Sequence, residues 1–491
     1  MSTKSITIPV ILLCVIAVVV SSIVGLKWSD ALAEEQTATL ETKGAVEKAE
    51  VAYTAAPPPA NGEDEWAAPE RFLDLLSGRG EKIKPAIAEI DRKWHPGNVA
   101  PLIEVLRFTN DLRVQHEVVD VLRKHTGQRL DAKIDDWYHW LWSQEYQPHP
   151  KYAQFKALLY EDVDRRFREY FQDTDGATIR LDEIRWGGVV RDGIPPLKDP
   201  EVLSVKDANY LADSDVVFGV EFNGQARAYP KRILAWHEMV KDTVGGQTIN
   251  GVYCTLCGSM IVYDPNFDGK HYELGTSGFL YRSNKLMYDH ATKSMWSTIE
   301  GKPVVGPLAS KGIQLKPLHV VTSTWGEWRR RHPETTVLSL KTGHRRDYGE
   351  GVAYKRYFGT DELMFTVPKL DGRLKNKDEV FVVRNEQAKT PVAIAAQFLA
   401  KHPVYHDRVG EQSFVVITDS SGANRAYDSG EHKLERLGEQ GDVVDSTGAT
   451  WAITEDALVL NDGDARLSRL PAHRAFWFGW FSVHENTRLV K

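Results

Sequence analysis

Two cysteines three residues apart, Cys254 and Cys257, followed at once by Gly258, are the residues of this chain best placed to do chemistry. The only other cysteine, Cys14, lies inside an apolar N-terminal run. Thiols at this spacing on a turn face one point. As thiolates they are soft ligands for a metal ion. As a pair they can exchange with other disulfides. In an exported protein they can also form a static bond, although a loop this short gains little chain-entropy stabilisation from closure. The residue types alone leave these readings open.

A metal site of the zinc-ribbon kind needs two ligands beyond the thiolates. No further cysteine is available in the body of the chain, so histidine must supply them. His237 comes first, because it lies four residues after Ile233 and shares that inward helix face. His319, His271 and His290 follow as alternatives. The expectation is that Cys254, Cys257 and His237 converge on zinc or copper, with water, substrate or His319 in a fourth position. His237-Glu238 does not form the zincin motif, since Lys241 stands where its second histidine would be. In the redox reading Cys254 and Cys257 are themselves the catalytic residues. The segment Ser259 to Asp264 reads as a strand, so no helix N-terminus lowers a thiol pKa here. Gly-x-Ser-x-Gly and Walker sequences are absent. Asp192, Asp264 and Asp289 fit turn chemistry. Tyr281, Tyr288 and Trp296 fit a core or the wall of a pocket, and Arg345-Arg346 a solvated pair.

The elements that position the thiols are strands. Val216 to Phe222, the turn Asn223-Gly224, and Gln225 to Tyr229 read as a hairpin. Pro230 opens a helix expected to run through Val240. Gly245-Gly246 turns the chain into the strand Gln247 to Tyr253, which delivers Cys254. Further strands are expected at His271–Ser277, Lys285–Asp289, Ser294–Thr298, Val380–Arg384 and Ser413–Thr418. Thr324 caps a short helix with Trp325 and Trp328, and the chain closes on the aromatic run Phe476–Phe481.

Before Gly176 the period is helical. Ile83, Ile87 and Ile90 recur on one face, as do Val114, Val118, Val121 and Leu122. Breaks fall at Ser77-Gly78, Pro96-Gly97 and Thr126-Gly127. Successive short helices resemble HEAT-type hairpins. Residues 34–65, rich in Ala, Glu and Thr with Pro57-Pro58-Pro59, read as a flexible linker. The run Ile6 to Leu26 carries no charge and is long enough to span a bilayer, and Lys4 before it orients the body outward. The alternative is a signal peptide cleaved after Ala31-Leu32-Ala33. The formal net charge of -7 offers no basic field for nucleic acid.

The segments Asp192-Gly-Ile-Pro195, Ala228-Tyr-Pro230, Trp236-His-Glu238, Tyr253-Cys-Thr-Leu-Cys-Gly258, Gly275-Thr-Ser-Gly278, Leu286-Met-Tyr-Asp289, Ser294-Met-Trp-Ser297 and Phe476-Trp-Phe-Gly479 belong together. Jointly they resemble a bacterial family known only as domain of unknown function 3179, over roughly the C-terminal three fifths of the chain. Thr255 and Lys241 stand where that family commonly has proline and asparagine. The resemblance implies a domain and no activity.

The sequence therefore predicts a multi-domain α+β protein. Residues 1–33 are the anchor or signal, 34–65 the linker, 66–175 a HEAT-like helical domain, and 176–491 a mainly antiparallel β-rich domain carrying the thiols. The expected protein is a single-pass membrane protein with its body on the periplasmic side, or secreted after cleavage near Ala33. Three functions fit: a metalloprotein binding zinc or copper, a thiol–disulfide protein, or a non-enzymatic module whose helical domain binds a protein partner.

Overall fold

Around Gly176, where the sequence period shortens, the structure passes from helices to strands. It is a computed structural model that describes residues 66–385, 388–439 and 441–491. The anchor and the linker before Trp66 lie outside the described residues. Among those described, no helix is long and apolar enough to cross a membrane. All belong to one compact unit, Pro58–Lys491.

The helical part is built from Pro69–Asp74, Gly80–Arg92, Val99–Phe108, Leu112–Thr126, Ile134–Ser143 and Tyr152–Glu161. The apolar stripes do the packing: Ile90, Val114, Val118, Val121 and Leu122 are all buried. Gly127 ends its helix in the left-handed conformation, which costs glycine little. At the centre the Lys156 ammonium meets the Glu104 carboxylate at 2.7 Å, with both side chains fully buried. Tyr160 donates to the same carboxylate, and Lys156 donates to the carbonyl of Ile184. The pair therefore ties the helices to the first strand. The helical core also continues directly into Phe279, Leu286 and Tyr288 of the β region. The helices differ in length and are interrupted by 3-10 turns at Pro96–Asn98 and Arg165–Phe171.

The β region is antiparallel-rich and falls into two blocks with the same order of core elements, the first carrying extra edge strands at Leu197–Lys198, Val202–Ser204 and Pro317–Leu318. In the first block, Val216–Phe222 pairs antiparallel with Gln225–Pro230 and with Val321–Thr324, while Thr336–Leu338 runs parallel to Gln225–Pro230. In the second, Glu379–Val383 pairs antiparallel with Val392–Ala395 and with Ala472–Phe476, while Arg488–Val490 runs parallel to Val392–Ala395. Each block then has a three-strand meander. Met239–Val244, Gln247–Cys254 and Ser259–Tyr263 form one; Val404–Val409, Gln412–Thr418 and Asn424–Asp428 form the other. Each block also has a third sheet whose turn is held the same way. Asp289 accepts the indole N–H of Trp296 at 3.2 Å, and Asp445 accepts that of Trp451 at 2.9 Å.

The helix expected to run from Pro230 through Val240 is shorter, Lys231–His237. Glu238 ends it in the left-handed conformation, φ 55°. Met239–Val244 is instead a strand, because its backbone finds a complete ladder with Gln247–Cys254. The blocks are joined by residues 339–378, which contain one four-residue helix, Lys355–Phe358. This strap lies over the thiols.

Candidate thiol site

The strand Gln247–Cys254 carries the first thiol to its end, and the turn Thr255–Gly258 returns the chain into Ser259–Tyr263. Gly258 sits at φ 59°, where a side chain would be strained and would also strike the Phe476 ring at 2.8 Å. Cys254 and Cys257 are free thiols and are 2% and 0% exposed. They lie in an apolar cluster with Leu256, Leu280, Tyr357, Val367, Phe476 and Phe478.

A second hairpin closes over the sulfurs. Its turn, Arg282-Ser283, has φ values of 47° and 64°. A two-residue turn with both residues left-handed matches the twist of the strands it joins. Without glycine it costs about 1 kcal/mol or more per residue. The surroundings hold it there. Arg282 is paired with Glu183 at 2.6 Å and donates to the carbonyl of Ser482 at 2.7 Å. Asn284 donates to the carbonyl of Gly479 at 3.0 Å. The turn brings the carbonyl of Ser283 to 3.4 Å from the Cys257 sulfur and directs the backbone N–H of Lys285 at the thiols.

The two thiols are poised in opposite directions. Burial pushes both up. At Cys254 the hydrogen bond from Cys257 and the Lys285 amide outweigh burial and hold the thiol below the ordinary cysteine value. At Cys257 burial, then the bond to Cys254, raise it well above. The single S–H of Cys257 is within reach of both the Ser283 carbonyl and the Cys254 sulfur.

Beside the thiols lies a buried polar group drawn from segments far apart in sequence. Lys285 donates to Glu238 at 2.9 Å, Thr255 donates to it at 2.8 Å, and Tyr354 from the strap at 3.3 Å. The left-handed backbone of Glu238 turns its side chain into this site. Tyr357, also on the strap, donates to the carbonyl of Leu256 at 2.7 Å, so the strap is fastened to the thiol turn itself.

His237 is fully buried, as its helix face predicts. Its ring is engaged on both sides. Nδ1 donates to the carbonyl of Pro195 at 2.9 Å, and Nε2 accepts from Tyr348 at 2.6 Å, which in turn is bonded to Thr342. Burial lowers its pKa to about 4. His319 is half-buried near Arg469 and Glu455 of the second block, with its pKa also lowered by burial to about 4. His271 is exposed and bonded to Asn266, and His290 stacks on Tyr288 at the surface. The structure thus brings the two cysteines together and gives each histidine other surroundings. Among the described residues no group of three or more His, Cys, Asp or Glu is arranged to hold a metal ion.

The family model described as a protein of unknown function, DUF3179, matches residues 191–487. This chain belongs to that family. The match takes in the first β block, the strap and the second block up to its last strand, and the helical part lies before it. No curated protein and no solved structure matches the chain. In this family member Thr255 has a visible use, as the donor that fixes Glu238 against the thiol turn.

Proposed function

We propose that Cys254 and Cys257 are the working pair of a thiol–disulfide exchange protein. The observation that carries this reading is two free thiols brought together on one turn beneath the Arg282-Ser283 hairpin, with the Lys285 amide directed at both. Exchange needs a thiolate, and Cys254 is the thiol favoured to be one. Its sulfur attacks a disulfide of a partner. That S–S bond breaks, and the departing partner sulfur leaves as a thiolate and takes up a proton. Cys257 then loses its proton and displaces the second partner sulfur. Two electrons and two protons pass to the partner, and Cys254–Cys257 becomes the disulfide. The strap must swing aside for a partner to reach sulfurs this buried.

A second reading rests on the same convergence. Two thiolates under shared amide donors suit a soft ion, copper in its monovalent state ahead of zinc, which asks for more ligands. His237 would have to leave Pro195 and Tyr348 to join them. Around this centre we place an exported body, tethered by Ile6–Leu26, with the HEAT-like helical part offering a surface to a protein partner.

Protein purified without an affinity metal, then equilibrated in glutathione buffers of graded ratio, separates the readings. Exchange predicts metal-free protein that cycles between dithiol and disulfide, and loses that cycling in Cys254→Ser and Cys257→Ser. Stoichiometric copper or zinc, lost in either variant, would move the assignment to a metal centre. Protein that neither cycles nor carries metal removes both readings. A reporter fused after Lys491 and active only outside the cytoplasm supports export, whereas a mature N-terminus at Glu34 replaces the anchor with a cleaved signal.

A further inference from the structure

The two β blocks repeat each other in sequence as well as in topology, at spacings set by the fold. Asp215-Val-Val-Phe218 opens the first block and Asp378-Glu-Val-Phe381 the second. Tyr263-Asp264 and Tyr427-Asp428 end the equivalent meander strands, and Asp289…Trp296 matches Asp445…Trp451. The closing helices are the clearest pair. Trp325, Trp328, His332 and Thr335 recur as Trp477, Trp480, His484 and Thr487. The indole of Trp328 donates to Thr335 at 2.9 Å, and that of Trp480 donates to Thr487 at 2.9 Å. Trp328 lies 4.2 Å from the His332 ring, and Trp480 lies 4.1 Å from that of His484. Coincident side-chain geometry over matched registers is not expected of two unrelated sheets.

The blocks also pack reciprocally. The backbone N–H of Phe476, in the second block, donates to the carbonyl of Cys257 in the first at 2.7 Å. Gly479 lies so close that a Cβ there would be 2.9 Å from that of Cys257. In return, the closing strand and helix of the first block reach the equivalent turn of the second. There Arg331 is 3.6 Å from Asp419, Ser323 is 3.5 Å from Ser421, and Ala423 packs with Trp325 and Trp328. The register of the two meanders puts Asp419 where the first block has Cys254, and Ser421 directly before Gly422 as Cys257 stands before Gly258. The equivalent of Gly479 is Glu327.

We infer that the β region is an internal pseudo-dimer, two copies of one fold joined by the strap, whose thiol centre is a shared site completed by the second copy through Phe476, Gly479 and Ser482. The equivalent site on the other side has given up its thiols. It holds a buried ion-pair cluster in which Asp419 and Glu455 face Arg425 at 2.8 and 2.6 Å and Arg469 meets Glu455 at 2.9 Å. Gly479 is a positioning residue: it lets the closing helix press the Arg282-Ser283 turn onto Cys257.

The part concerning Gly479 rests on the exchange reading above; the pseudo-dimer does not. A protease site is inserted at Gly343, an exposed position with open space around it, and the full chain is cut there. The two pieces should stay together on a sizing column and keep the glutathione equilibrium of the uncut protein; pieces that separate under native conditions overturn the pseudo-dimer. In uncut protein, Gly479→Ala should shift the dithiol–disulfide equilibrium constant by about tenfold, close to 30 mV for a two-electron couple. Glu327→Ala, on the other side, should leave it within about twofold. If Gly479→Ala does not fold, Ser482→Ala, which loosens the same turn through Asn284, takes its place with a smaller shift in the same readout. An unchanged constant in a folded variant overturns the shared site. Wild-type protein that never cycles defeats the exchange reading and leaves the cutting result to judge the pseudo-dimer alone.

Discussion

The turn at Cys254–Gly258 and the turn at Asp419–Gly422 occupy the same place in the two β blocks and solve opposite problems. The first buries two groups with little hydration to lose, so the thiol pair can sit among Leu256, Phe476 and Tyr357 at modest cost. The second buries full charges, which is tolerable only if each finds a partner. Asp419 and Glu455 surround Arg425, itself 1% exposed, and Arg469 completes the set. Burial raises both acids, and Arg425 and its neighbours pull both below the ordinary carboxylate range, so the acids stay charged inside the protein. One turn is therefore free to change its covalent state while the other is locked by charge.

The comparison breaks most visibly at Glu455. Glu455→Ala leaves Arg469 without its carboxylate and Arg425 with Asp419 alone, and removing one member of a buried ion pair costs about 3–5 kcal/mol. The urea midpoint should fall accordingly, with the glutathione equilibrium of the thiols unmoved. The double variant Cys254→Ala, Cys257→Ala should do the reverse, abolishing exchange while shifting the midpoint far less. A large loss of stability from the thiols with none from Glu455 would invert the assignment.

A matched pair of substitutions sharpens the likeness. Thr335→Val and Thr487→Val each leave a buried indole N–H without an acceptor, at a cost of about 1–3 kcal/mol. The two blocks should respond alike, within about 0.5 kcal/mol of each other in the urea midpoint analysis, since the sites share no partners. A twofold or greater difference would show that the repeated geometry carries different loads.

The smallest effect is on pH. His484 in the second block and His149 in the helical part are both held at about 4 by burial, against an ordinary value of 6.5. A histidine lowered in the folded state favours folding above its unfolded value. That contribution is lost as the pH falls from about 6.5 towards 4. Urea midpoints measured from pH 7 down to 4 should decline over that window, and His149→Gln should make the decline shallower. A midpoint that rises on acidification would contradict the burial of both rings.

Much of the local structure is readable from residue types. Asn223-Gly224, Gly245-Gly246 and the Thr324 cap mark turns and a helix start because their backbone demands are local. The strand after Cys257 follows from its unbroken apolar run. The helix end at His237 does not, since Met239 and Val240 would pack equally well on a helix, and only the partner strand Gln247–Cys254 decides. The thiol surroundings are hidden for the same reason: Lys285, Tyr354 and Tyr357 lie 28 to 103 residues from the cysteines they neighbour. Nothing in the composition of the strap says where it will lie. The repeat between the blocks was open to direct comparison of the chain with itself, through Trp-x-x-Trp-x-x-x-His-x-x-Thr, but few identities lie between those anchors. A histidine ligand follows from counting available donors. Counting does not see Pro195 and Tyr348, which occupy both nitrogens of His237.

The strap gives the molecule a freedom that a dimer of separate chains lacks. In a homodimer every substitution is written twice, so a change that suits one site is imposed on the other, and assembly weakens as the protein is diluted. Joining the copies through residues 339–378 makes their association unimolecular. It also lets each turn be inherited separately, so that Asp419 can become a fixed point of charge while Cys254 remains open to change.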